Sequence, residues 1–548
     1  MVSLVPVDEI DLETELSREN YIRGVALCDY LTRSFVRTCK EEGVDIAQKG
    51  SWKGAKGGDL KMEGTSQHVL PRTSIQLLSD GSNCHSLEIR FQMGLPARGR
   101  SILGEWCRQL LFDTLPTLIQ TSLMWSSLPE SDVYEHINSV EDQEQLRSLL
   151  SDAGLIAFVR DGSILPRRSG ASDLPMDTLN AVPFVSPDNL RVSFELKHAG
   201  VVSGLGIEKG VTLITGGGFH GKSSLLSALQ MGIYNHIPRD GREFVCCDAS
   251  AVKIRAEDGR AVTNLDISPF INNLPGGKST QDFETTCASG STSQSANICE
   301  MLELGTQLLL LDEDTCATNF MYRDQLMASL VESKKEPITP FLQHVKDLWV
   351  NEDSKVSTVI VVGGCGGYFS VADTVLMMDN YVCKDVTTEA ANIFASAGMS
   401  TYALKDTTGN DNAFARNLAS TRAIDCSSLR LPDPSGRFSV RTKERIGLGR
   451  EEHDLEGNSN YLDLYGLEQI TEVGQTRALS EIMQHLSTSG RKNAPLRSLL
   501  EELYEVAAQG GVDELIGGGN RALADLTMPR IQELAMCINR WRYLKVSY

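Results

Sequence analysis

The stretch Gly216-Gly217-Gly218-Phe219-His220-Gly221-Lys222-Ser223-Ser224 constrains the fold of this 548-residue chain more than any other. It has the spacing G-x-x-x-x-G-K-[ST], with an apolar, β-branched run at Val211–Thr215 before it and a helical pattern over Lys222–Met231 after it. Strand, glycine-rich turn and helix in this order let backbone N–H groups wrap a phosphate. The glycines keep side chains off the wrapping face, and the helix N-terminus adds positive potential. All nine residues from Gly216 to Ser224 then line the anion, with Lys222 reaching the β- and γ-phosphates and the Ser223 hydroxyl meeting Mg²⁺. The alternative is a strand–helix turn that binds nothing, because the pattern also arises by chance.

Two further features lie downstream. Gln307–Leu311 reads as an apolar strand ending in Asp312-Glu313-Asp314. A carboxylate at the end of a neighbouring strand is where the Mg²⁺ of a phosphate-loop enzyme needs a second protein contact, so Asp312 is the expected metal residue. Glu313 is placed to orient or deprotonate an attacking water, which makes Glu313 and Lys222 the catalytic candidates. An acidic strand end facing solvent is the bland alternative. Between these features, Ser289-Gly290-Ser291-Thr292-Ser293-Gln294 runs into a helix expected over Ala296–Leu304. It reads either as a second anion-binding helix start or as an ordinary cap.

The rest of the chain is consistent with a large protein of several domains. Residues 1–180 read as mixed α/β. They include a helix near Tyr21–Arg37 with Ile22, Val25, Ala26, Tyr30 and Leu31 on one stripe, a Gly/Lys loop at Lys49–Lys61, a strand at Leu87–Phe91, a turn at Gly94–Arg100 and a helix at Ile102–Leu111. Residues 181–427 alternate β-branched runs with helical patterns, as a parallel sheet with crossover helices requires. Residues 428–460 read as a linker with a short strand or two. Residues 461–548 form a mainly helical domain of three helices, marked by Leu467–Leu486, Leu496–Val506 and Ile531–Ile538, with Pro529 opening the third.

A net charge of −20 argues against a surface that binds nucleic acid everywhere, and leaves room for a local basic groove or pore. The 13 cysteines are scattered without a C-x-x-C pair, which fits a reducing compartment. No apolar run approaches the ~20 residues of a membrane span, so no membrane partner is expected. Asp8, Glu9, Asp11, Glu13 and Glu15 precede the first basic residue, Arg18, so no targeting segment is visible and a cytoplasmic location is the expectation.

Phosphate loop, Ser/Gly-rich helix start and apolar-Asp-Glu, in this order, resemble the ABC ATPases. There the loop is the Walker A motif, Asp312-Glu313 matches Walker B, and ASGSTSQ stands in place of the signature Leu-Ser-Gly-Gly-Gln. Thr315–Asn319 resembles the D-loop, with Thr318 and Asn319 as its residues between protomers or as a plain helix start. More specifically, GGGFHGKSSLL, VKIRAEDGR, ISPFINNLPGGK, ASGSTSQSANI, LLLLDEDTCATNFMYRD and ADTVLMMDNY resemble the soluble "ATPases of the ABC class". This family includes a kinetoplastid mitochondrial protein connected with RNA editing. GLPARGR, ILPRRSG, LEQITEVGQTRAL and MPRIQELAMCINRWR extend the resemblance from Tyr21 to the C-terminus.

The resemblance implies an α/β fold: a central P-loop ABC-ATPase-type domain between a mixed α/β N-terminal domain and a mainly helical C-terminal one. It implies ATP and Mg²⁺ as ligands and a head-to-tail homodimer, with ATP between the Lys222 loop of one protomer and the Ser289–Gln294 helix start of the other. It also implies an N-terminal segment longer than the twenty residues before Tyr21; if such a segment is missing here, a mitochondrial location stays open beside the cytoplasmic one. Two features depart from ABC ATPases in general. Gly363-Gly364-Cys365-Gly366-Gly367 stands where transporter-type domains carry a switch histidine, so slow hydrolysis is expected. The Q-loop region is expected within Ser268–Gly277, with no glutamine assigned.

Arg98 and Arg100 in one Gly/Pro turn, and Arg167 and Arg168 in another, are the candidate contacts for single-stranded RNA. Their alternative is salt-bridging within this acidic protein. A non-catalytic ATP-gated scaffold remains open beside the ATPase. A small-molecule kinase also competes, although the ASGSTSQ helix start argues against it.

Overall fold

The computed structural model describes residues 2–3, 18–46, 56–79, 85–170, 172–331, 335–351, 355–397, 422–431, 437–448, 461–518 and 522–547. The acidic stretch 8–15, residues 49–55 of the expected Gly/Lys loop and residues 449–460 lie outside these.

Among the described residues the centre is a six-stranded sheet in the order Val252–Ile254, Leu308–Asp312, Ser357–Val361, Val211–Gly216, Thr374–Asp379, Val382–Asp385. The first five strands are parallel and the last is antiparallel. Leu308, Leu309, Leu310 and Leu311 are all fully buried, because both sheet faces are covered. Leu308 and Leu310 pack with Leu225 and Leu229 of the helix Lys222–Met231. Leu309 and Leu311 enter the core shared with the C-terminal helices.

A second, antiparallel sheet has the order Arg191–Leu196, Gly200–Glu208, Leu155–Arg160, Val245–Cys247. It therefore ties a strand from before residue 181 to strands from after it. In the N-terminal part, the helix Arg18–Glu41 extends the expected one at both ends and buries Ala26, Leu27, Leu31 and Phe35. It packs against the helix Glu130–Asp152 and the strand Ile75–Ser79, which pairs with His85–Ile89. The helix expected at Ile102–Leu111 divides into Gly104–Gln109, a wider turn at Leu110–Thr114, and Leu115–Ser122.

The C-terminal helices are Val473–Thr488, Leu496–Gly510 and Ile531–Asn539. Leu467 and Ile470 precede the first helix instead of lying on it. Within 428–460 the described residues include two short strands, as expected. Phe438–Thr442 and Arg445–Leu448 form a hairpin completed by Tyr461–Asp463, and Leu429 and Ile446 are fully buried. Ala478, Ile482, Leu534, Ile538 and Trp541 share one continuous core with Leu309, Leu311 and Ile360 of the central sheet. Among the described residues no helix is long and apolar enough to cross a membrane, and every cysteine is a free thiol.

Candidate functional site

Gly216 ends its strand opposite Met378 at a φ of 133°, and a β-carbon there would lie 2.2 Å from the Met378 carbonyl oxygen. Gly221, at a φ of 103°, turns the chain into the helix Lys222–Met231. Between them Phe219 also has a positive φ and projects into solvent at 99% exposure. The loop thus stands open, with helix N–H groups facing outward. Lys222 Nζ folds back over it and donates to the Gly216 and Gly217 carbonyls at 2.7 and 2.8 Å.

His220 is anchored to the strand end beside it. Its Nδ1 accepts the Asn380 N–H at 3.0 Å, and its carbonyl accepts the Tyr381 N–H at 3.1 Å. An Nδ1 that accepts a backbone N–H leaves the imidazole proton on Nε2, which lies against Gly217. Loop residues Gly218, Phe219 and Gly221–Ser224 face a cleft of about 1370 Å³. Opposite them stand Glu63–Ser66, the hairpin Arg167–Ser169/Ser172–Pro175, and Thr471–Val473.

Ser357–Val361 lies between the loop strand and Leu308–Asp312, so Gly216, Asp312 and Gly363 emerge at the same end of the sheet. Asp312 is buried. It lines a hollow of about 460 Å³ together with Ser223. Lys253 lines the same hollow and is 4% exposed. Burial pushes its ammonium down, while Glu468 and Asp312 pull it up. Its place in the apolar run Val252–Ile254 hid it from sequence reading.

Glu313 spans the gap to the next strand end. Its Oε2 accepts the N–H groups of Gly363 and Gly364 at 2.6 and 2.9 Å. The nearby thiols are neutral: burial pushes Cys365 up to about 11 and Cys316 up to about 12.

The helix expected to begin at Ala296 begins at Gly290, with Ser289 as its cap. This start corrects the expectation that all of Ser289–Gln294 faces a second protomer. Ser291 donates to Asn319 Oδ1 at 2.7 Å. The Ser293 hydroxyl donates to the Gly290 carbonyl and accepts the Glu257 N–H. Gln294 accepts the Ala317 N–H at 2.8 Å. The helix is enclosed on all sides, so these three are buried, and Ser293 and Gln294 are 0% exposed. Ser289 is exposed and Gly290 and Thr292 are half-buried, so these three remain available. Thr318 and Asn319 are exposed at the start of a one-turn helix, and Asn319 is held by Ser291.

The four arginines divide. Arg98, on the hairpin Ala97–Arg98/Ser101–Ile102, and Arg100, in its turn, are exposed, as is Arg168. Arg167 is instead spent on the buried carboxylate of Asp240, through two contacts of 2.8 Å. Ser268–Gly277 lies around a separate surface hollow with Lys278–Gln281. The turn that leaves the strand beside Leu308–Asp312 is Arg255–Asp258.

Comparison with known proteins accords with this geometry. Residues 129–413 match the ABC_ATPase "P-loop domain", residues 3–126 match "ATPase of the ABC class N-terminal", and residues 439–547 match "MRB1590 C-terminal domain". The uncharacterized protein MJ1628 of Methanocaldococcus jannaschii is 30% identical over 207 residues, which are 35% of this chain and 45% of that protein. The chain thus spans less than half the length of this curated relative. Among solved structures, cbiO1 from Clostridium perfringens, part of the ABC transporter complex cbiONQ, is 15% identical. That match covers 48% of this chain and 98% of that one, with a TM-score of 0.27. With the P-loop model matched over more than half of its residues and the ABC-class N-terminal model over the segment before it, the chain belongs to the ATPases of the ABC class.

Proposed function

We propose that this chain binds Mg·ATP at the Gly216–Ser224 loop and hydrolyses it while working as a nucleotide-dependent head-to-tail homodimer. The observation that carries this reading is the convergence of Lys222, Ser223, Asp312 and Glu313 at one end of one sheet. Lys222 exchanges its two carbonyl partners for β- and γ-phosphate oxygens, while the Ser223 hydroxyl and the Asp312 carboxylate bracket the metal of the substrate. Water aligned by Glu313 attacks the γ-phosphorus and gives up its proton to the carboxylate. The bond to the β-phosphate oxygen breaks, and ADP and phosphate leave.

Head-to-tail pairing is supported by the exposed start of the helix Gly290–Glu303. Ser289 there is exposed and Gly290 and Thr292 are half-buried, with the Ser289 and Thr292 hydroxyls 3.0 Å apart. Closure on ATP and release after hydrolysis would pass to the C-terminal helices through the core they share with the sheet.

Steady-state Mg·ATP turnover of the chain beside Glu313→Gln tests the reading. Turnover that collapses in the variant supports the ATPase. Negligible turnover in both, with ATP still bound, selects a nucleotide-gated clamp without catalysis. A single-stranded RNA client is a second reading, favoured by the exposed Arg98, Arg100 and Arg168. Loss of oligonucleotide affinity in Arg98→Glu/Arg100→Glu, with ATP binding intact, supports it.

A further inference from the structure

The charged groups at the sheet end are satisfied by backbone in complementary ways. Lys222 sits on two carbonyls, and Glu313 sits on two amides. The amides belong to Gly363 and Gly364, which follow the strand lying between the loop strand and Leu308–Asp312. Val362 N–H still reaches Ile214 of the loop strand at 2.9 Å. The pair therefore opens between the phosphate loop and the acidic strand end, where a terminal phosphate held by Lys222 would lie. Both glycines are exposed, and both N–H groups converge on one carboxylate oxygen. Two adjacent amides directed at one oxygen form an anion subsite, and here an anion already occupies it.

We propose that the Gly363–Gly364 amide pair is the γ-phosphate subsite of this chain, held by the Glu313 carboxylate until ATP displaces it. The inference rests on the reading of the site given above. It supplies the contact that a histidine side chain provides elsewhere, using backbone in place of a side chain. It also couples two events. A phosphate oxygen that takes the amides releases Glu313 to align water, so the catalytic carboxylate is freed only when the group to be attacked is in place. ADP has no γ-phosphate and leaves Glu313 parked.

Hydrogen exchange of the peptide holding Gly363 and Gly364 tests this, with affinities for ADP and the non-hydrolysable analogue adenylyl imidodiphosphate measured alongside, both with Mg²⁺. In nucleotide-free Glu313→Ala the two amides exchange about tenfold faster than in the wild type, the factor expected from losing a charge-assisted bond. Glu313→Gln, which keeps an oxygen acceptor without the charge, falls between. The analogue restores slow exchange in Glu313→Ala and ADP does not. Equal protection by both nucleotides, or protection by neither when both bind, overturns the subsite. If neither nucleotide binds the wild type, the underlying reading of the site falls, and the subsite with it.

Discussion

Arg540, close to the C-terminus, is ion-paired with Glu257 in the turn that leaves the edge strand of the central sheet. Arg540 Nε donates to Glu257 Oε2 at 3.0 Å, and a second guanidinium nitrogen reaches Oε1. The same carboxylate accepts Asn297 Nδ2 at 2.9 Å, and the Glu257 N–H donates to Ser293 Oγ at 2.8 Å. Asn297 and Ser293 lie on the helix whose start is the candidate contact in trans. One buried charge pair thus joins the C-terminal domain, the edge of the nucleotide sheet and that helix. Gly466 belongs to the arrangement, because a β-carbon there would fall 2.2 Å from the Glu257 carboxyl carbon.

Burial by itself would raise the Glu257 carboxyl, but Arg540, Arg260 and Asn297 draw it down to about 2. A carboxyl depressed in the folded state stabilises above its unfolded value, ~4.3, and loses that contribution as pH falls towards 2. Glu257→Gln is therefore expected to melt lower at pH 7 and to show a shallower loss of Tm between pH 4.5 and 2, read by circular dichroism. Arg540→Ala leaves the carboxylate with Asn297 and the nearby Arg260 only, and should cost about 1–3 kcal/mol in denaturant unfolding.

The N-terminal part is fastened to the C-terminal helices through Glu472, the cap of Val473–Thr488. Its carboxylate accepts the N–H and hydroxyl of Ser66, both at 2.8 Å, the guanidinium of Arg72 and the Thr527 hydroxyl. Burial would raise Glu472, and Arg72 with Ser66 holds it low. Glu472→Ala is expected to cost about 3 kcal/mol or more and to make the N-terminal part the first to yield in limited proteolysis.

Arg167 is expected to act on stability. Replacing it by alanine strands Asp240, which is 0% exposed and also bonded to His236, at a cost of about 3–5 kcal/mol. Arg98→Glu/Arg100→Glu, on an exposed hairpin, should shift Tm by no more than about 2 °C. Thermal melts of the two variants separate a structural arginine from candidate client contacts.

Gly216→Ala should abolish nucleotide affinity while the sheet survives. The added methyl would meet the Met378 carbonyl and force the first residue of the loop away from its strand. A positive φ there adds roughly 1 kcal/mol of backbone strain. Titration with a fluorescent ATP analogue, beside a far-ultraviolet spectrum, checks both halves of this expectation.

Local signals located the nucleotide domain because each lies within a dozen consecutive residues. Val211–Gly216 is β-branched and meets its glycine turn directly. Lys222–Met231 places Leu225, Leu226 and Leu229 on one helical face. Leu308–Leu311 is apolar at every position because both faces of its strand are covered. Asp312 and Glu313 were legible for the same reason, since a polar pair after such a run marks the end of a buried strand.

Tertiary structure alone decided what each of these side chains touches. The glycines after Val361 read only as a missing histidine until the sheet order set their amides on Glu313. Ser291, Ser293 and Gln294 read as one set with Ser289, and a helix enclosed on all sides buries them. Arg167 and Asp240, Arg72 and Glu472, and Arg540 and Glu257 are each far apart in sequence, and no periodicity relates the members of a pair. Hydrophobic patterning repeats along the chain and is legible locally. A buried charge is placed by the one partner that offsets its desolvation, and only the folded chain brings that partner near.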